Sequence, residues 1–163
     1  MSVERAVLLA LWGIAVIAVL VIVRKKHLHA FVISFMIGQA IIWLMEFGLL
    51  QLRLIAYPVR EFPNATNMGF SMAYMVYPMF AAIAHRFAPR GSVVKSILCV
   101  LVWTTALVLL QYGLARWTEL ISLKAYHWLW SPIVFGSFIF GTCMLTDLFF
   151  KPYSMAAGGE STS

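Results

Sequence analysis

Residues 6–23 read AVLLALWGIAVIAVLVIV and run directly into Arg24-Lys25-Lys26. Coiled as an α-helix at ~1.5 Å per residue, such a run covers most of a hydrocarbon core of ~30 Å. Four more apolar runs follow, over residues 30–50, 68–84, 96–115 and 128–150. Each has the length of a membrane helix, roughly 17–25 residues. The expected fold is therefore all-α: a polytopic membrane protein built as a five-transmembrane-helix bundle. Residues 1–151 form one domain in this reading, and residues 152–163, small and polar, form a flexible tail.

Composition points the same way. Hydrophobic residues make up 63% of the chain and charged residues 11%, against about 25% charged in a soluble domain. Mean hydropathy is +0.90. A secretory signal would carry its basic residues ahead of the apolar run and a small-residue cleavage site after it. Here Arg24-Lys25-Lys26 comes after the run, so the segment reads as a retained helix.

Basic residues in short loops favour the cytoplasmic face. One side of the expected bundle receives Arg24, Lys25, Lys26, Arg86, Arg90, Lys95 and Lys151; the other receives Arg5, Arg53, Arg60, Arg116 and Lys124. That asymmetry places the N-terminus outside and the C-terminus inside a bacterial plasma membrane. The formal net charge of +6 is then explained by anionic lipid headgroups; the lipid bilayer is the expected partner, and nucleic acid is not. Trp117, Tyr126, Trp128 and Trp130 read as an interfacial aromatic belt. Trp12, Trp43 and Trp103 lie deeper and read as packing residues.

The connection over residues 51–67 is the longest. Its prolines and asparagines favour turns, yet Leu52, Leu54, Ile55, Val59 and Phe62 make it too apolar for a free coil. It is expected to fold back over the outer mouth of the bundle. It also holds the glycosylation sequon pattern Asn64-Ala65-Thr66, which carries no meaning in most bacteria. Pro78 falls inside the third helix and should kink it or free a carbonyl. Ser34 with Gly38, and Ser137 with Gly141, have the spacing that lets membrane helices approach closely, either within the bundle or between two chains.

Glu46 is the one acid well inside an expected span, and an ionisable group there is a functional hypothesis by default. Gln39, Glu46 and Arg53 recur at seven-residue intervals, which keeps them within ~20° per step on one helix face. At ~1.5 Å per residue, Glu46, Tyr74 and Gln111 fall in one layer of the outer half. Arg53, Arg60, Arg116 and His127 are available above it. An outer polar cluster follows, in which Glu46 either pairs with an arginine to fix packing or meets a ligand, ion or proton. Asp147 and Lys151 are read as an i,i+4 surface pair. Cys99 and Cys143 are read as reduced packing residues. His27, His29, His85 and His127 sit near segment ends and are divided between the two sides, so no metal site is expected. Nor does any spacing suggest a nucleophile, a phosphate loop or a cofactor site.

Arg60-Glu-Phe-Pro-Asn-Ala-Thr66 with Tyr74-Met-Val-Tyr-Pro78, and Arg116-Trp-Thr-Glu-Leu-Ile121 leading to Tyr126-His-Trp-Leu-Trp130, are a second kind of evidence. Together they resemble a family of small multi-spanning membrane proteins found mostly in Bacillus- and Clostridium-like spore-forming bacteria. The resemblance covers residues 59–150. It implies a membrane bundle of about five helices, without an assigned activity, and supplies no catalytic residues. It singles out the two outer connections, with Arg60, Glu61 and Glu119. The resulting expectation is a non-enzymatic accessory or sensing component whose outer layer engages a membrane protein partner, a second copy or a small ligand. The alternative is a small permease or ion- or proton-conducting protein.

Overall fold

The computed structural model describes residues 3–23, 25–59, 61, 64, 68–89, 91–123 and 129–159. Arg24, Arg60, Arg90, Lys124, Tyr126, His127, Trp128 and the sequon residues Ala65 and Thr66 lie outside the described residues. Among the described residues the regular structure is helical apart from one short ribbon. Its helices are α1 (Val3–Ile22), α2 (Leu28–Gln51), α3 (Tyr77–Phe87), α4 (Val93–Trp117) and α5 (Trp130–Gly159). A 3-10 turn, Lys25–His27, joins α1 to α2, and a π turn, Met72–Val76, leads into α3. The α5 helix continues past Lys151, so the backbone is helical where the polar tail was expected to begin.

Among the described residues four helices are long and apolar enough to cross a membrane: α1, α2, α4 and α5. Their exposed surface is apolar, with Leu20 and Val21 on α1 each 75% exposed and Val93 on α4 76% exposed. Polar side chains are buried instead, among them Ser34, Glu46, His85, Thr104, Gln111, Thr142 and Thr146. Water would reject this arrangement, because large contiguous apolar surfaces are rare on soluble monomers. Lipid favours it.

The third expected span is different. The α3 helix has 11 residues, and the helical run preceding it begins only at Phe70. It packs against α2, α4 and α5, and Tyr77, Pro78, Met79, Ala81, Ala82, Ile83, Ala84 and His85 are buried. A helix wrapped by its neighbours has little contact with lipid, so it can carry Pro78, His85 and Arg86 without the hydropathy its neighbours need. Pro78 lacks the N–H of a regular turn, and its ring crowds the carbonyl four residues back. The strain is absorbed upstream, where the helix widens to the π turn and Tyr77 N–H reaches Met72 O.

Gly38 of α2 marks the closest approach. A Cβ there would lie 3.4 Å from Thr142 Cγ2 on α5 and 3.5 Å from Ala81 Cβ on α3. The Ser34–Gly38 spacing thus serves packing within the bundle. Val7, Leu8 and Leu11 of α1 join the core cluster beneath the ribbon, whereas Ile22 and Val23 join the cluster at the opposite end. Successive helices therefore alternate in direction, with the start of α1 at the ribbon end.

Candidate functional site

The α2 helix ends in a Schellman turn: Leu54 N–H reaches Leu49 O at 3.0 Å and Arg53 N–H reaches Leu50 O at 2.9 Å. Arg53 takes the left-handed conformation at φ 55°, the position this motif usually gives to glycine. Chain reversal takes Arg53 off the helix and leaves it exposed, so the expected stripe Gln39–Glu46–Arg53 is broken at its last member.

Past the turn, β1 (Ile55–Ala56) pairs antiparallel with β2 (Ser122–Leu123), Ile55 opposite Leu123 and Ala56 opposite Ser122. The two long connections thus meet in a ribbon over the bundle, the fold-back expected of the first. Ile55, Tyr57, Leu120 and Ile121 are all buried beneath or beside it. Tyr57, immediately after β1, donates its hydroxyl to Glu46 Oε1 at 2.6 Å. Tyr77 of α3 is its second polar neighbour and stacks obliquely on Phe135 of α5 at 5.2 Å. Room for the Tyr57 ring depends on Gly69, where a Cβ would come within 2.7 Å of Tyr57 Cδ1.

Glu46 is 2% exposed, and its second oxygen, Oε2, is buried without a hydrogen-bond partner. Among the described residues no arginine pairs with Glu46, which is held by Tyr57 alone. Burial, reinforced by Glu46 and Tyr77, pushes the Tyr57 phenol well above its ordinary value. Tyr57 therefore stays a hydrogen-bond donor at neutral pH.

Gln111 of α4 is buried as expected, and its Oε1 accepts from Ser131 Oγ of α5 at 3.0 Å. It sits between Leu107 and Leu114, which share one core cluster with Ile42, Tyr57 and Tyr77. Glu46, Tyr57, Tyr77, Gln111 and Ser131 therefore form the polar layer at the capped end. Tyr74 does not belong to it. Its ring stacks on Phe70 at 4.8 Å, and with Gln39 it lines a separate hollow on the flank of α2.

Glu61 has a structural task, accepting from Ser71 N–H at 3.1 Å at the start of the third helical run. Ser71 Oγ in turn accepts from Trp12 Nε1 at 2.8 Å, tying α1 to the same point. Glu119 is exposed and borders a shallow hollow with Arg116, Pro58 and Ser122. Arg60, expected beside Glu61, lies outside the described residues. Trp103 packs in the core against Phe80, whereas Trp43 faces outward, stacked on Phe47.

At the opposite end, His85 Nε2 lies 3.1 Å from Asp147 Oδ1. Asp147 thus pairs across helices, not with Lys151 along its own. A cleft of about 1060 Å³ opens between α4 and α5, with His85 and Asp147 at one end and Pro132 and Gly136 at the other. It is lined chiefly by apolar side chains. Cys99 and Cys143 are free thiols. Among the described residues no cluster of His, Cys, Asp and Glu could hold a metal.

Sequence reasoning located Glu46 and Gln111 but missed Tyr57 and the His85–Asp147 pair. Tyr57 follows Glu46 by 11 residues across a helix end, so no helical period links them. The His85–Asp147 pair had a signal, two ionisable groups at the same end of expected spans, which the nearer Lys151 masked. Comparison with protein-family models, curated proteins and solved structures returns no match.

Proposed function

We propose that the chain is a five-span protein of the bacterial plasma membrane, its ribbon end outside and its C-terminus in the cytoplasm. In this reading α3, with the helical turns from Phe70 onward, is the fifth span, shielded by the other four. The charge pattern supports the orientation: Arg5, Arg53 and Arg116 lie at the ribbon end, Lys25, Arg86, Lys95 and Lys151 at the other. The protein acts as a non-enzymatic accessory or sensing component within the family its outer connections resemble.

The observation that carries this reading is the Glu46 carboxyl, closed in beneath the ribbon with Oε2 unpartnered. A buried polar group without its hydrogen bond is costly and persists where it has a use. Tyr57 ties the ribbon to that carboxyl by one hydrogen bond, so an event that lifts the outer cap is felt directly at Glu46. Conduction has less support. Below the polar layer the core is filled by Ile42, Leu107, Phe138 and Ile139, each at most 1% exposed. Of the buried hydroxyls among the described residues, Thr142 and Thr146 are spent on carbonyls of their own helix, while Ser34 Oγ and Thr104 Oγ1 are single unpartnered groups.

The test combines two measurements on reconstituted protein. Glu46→Leu inserts normally but speeds hydrogen exchange at Ile55, Ala56 and Tyr57 several-fold, and wild-type vesicles pass no proton current above empty ones. Unchanged exchange removes the latch. A proton current abolished by Glu46→Gln replaces the sensing role with a permease.

A further inference from the structure

Gln39 presents a separate problem, away from the Glu46 layer. It sits at the middle of α2 (Leu28–Gln51), ~17 Å from either end of the helix. Its side-chain amide makes no hydrogen bond among the described residues. It is half-buried and borders a hollow of about 290 Å³ on the outer flank of the bundle, with Met36, Ala40, Trp43 and Tyr74. In a helix that crosses a membrane, this is an unpaired amide close to the midplane, where water cannot satisfy it.

The surface around Gln39 has the form of a helix-packing seam. Met36, Ala40, Trp43 and Phe47 are all exposed, and their spacing of four, three and four residues keeps one stripe facing a partner helix. Copies of one membrane protein insert the same way up, so Gln39 of every copy lies at the same depth. A primary amide carries both donor and acceptor, so two such amides across a two-fold axis along the membrane normal satisfy each other. Such an axis brings the same patch of each chain into contact.

We propose that the outward face of α2 is a homodimer interface, in which Gln39 of one chain hydrogen-bonds Gln39 of a second copy. The hollow beside Gln39 receives a side chain of the partner helix. The amide pair fixes the register of the two helices, as a single polar residue does in a coiled-coil seam. This surface is distinct from the capped end, and its failure would leave the Glu46 reading untouched.

The test uses the full chain in native membranes, with Cys99 and Cys143 replaced by Ala. Under a mild oxidant, Ala40→Cys and Trp43→Cys give a disulfide-linked species of twice the chain mass, while Leu101→Cys on α4 does not. Gln39→Leu, which adds no polar group and so favours insertion, weakens dimerisation in vesicles about tenfold, the scale of an interhelical hydrogen bond in lipid. Three results would overturn the proposal: equal cross-linking from Leu101→Cys, undiminished dimerisation of Gln39→Leu, or an adduct of α2 whose mass is not twice that of the chain.

Discussion

The two ends of the bundle bury ionisable groups in opposite ways. At the ribbon end, Glu46 is closed in and meets a neutral phenol. At the other end, His85 is buried but its partner Asp147 stays 61% exposed at the mouth of a wide cleft. The capped end is built by tertiary contacts: a two-residue ribbon, an aromatic ring and a glycine that makes room for it. The open end needs only two helices side by side. Disruption should therefore cost more at the capped end.

Gly69→Val is the most disruptive change. Its Cβ would fall 2.7 Å from the Tyr57 ring, and the larger side chain would drive that ring off Glu46. Overpacking costs about 1–3 kcal/mol, to which the lost hydrogen bond is added; unfolding in mild detergent measures the sum. Tyr57→Phe keeps the ring and removes the hydroxyl alone. It leaves both Glu46 oxygens unpartnered, at a cost of about 1–3 kcal/mol. A double-mutant cycle with Glu46→Leu should return a coupling above about 0.5 kcal/mol.

The open end should respond less. Asp147→Asn breaks a largely exposed pair and should cost at most about 1 kcal/mol in the same unfolding assay. A loss above that of Tyr57→Phe would reverse the contrast between the ends. The smallest effect belongs to Arg53→Gly, which relieves a left-handed residue at the α2 terminus and should gain up to about 1 kcal/mol.

The pH response adds a signature specific to the capped end. The Tyr57 phenol is raised in the folded state, so its contribution is complete below its unfolded value of about 10. It declines only as pH rises above that toward the folded value. An absorbance titration should show Tyr57 ionising after the exposed tyrosines, and Gly69→Val should remove the delay.

Much of this fold was legible because lipid imposes a simple demand. Runs such as residues 6–23 have to be apolar along their whole length, and α1, α2, α4 and α5 are all visible in the sequence for that reason. The third helix was legible only in outline. Its boundaries shift from 68–84 to a run ending at Phe87, because neighbours, not lipid, surround it and Pro78 resets its hydrogen bonding. Within the site, Glu46 and Gln111 stood out as polar residues at matched depth. The stripe through Arg53 failed because helical period ends where the helix does, and the Schellman turn lies between them. Tyr57 was out of reach: a ribbon joining two distant loops decides where it points.

Cysteine labelling on either side of α3 tests the account at its centre, in a chain with Cys99 and Cys143 replaced by Ala. Leu52→Cys precedes that helix and Lys95→Cys follows it. With an impermeant reagent on intact cells, Leu52→Cys should label at once and Lys95→Cys only after the membrane is opened. Labelling of both positions from the same face would mean that the third helix does not cross, and the five-span bundle with its outer cap would have to be abandoned.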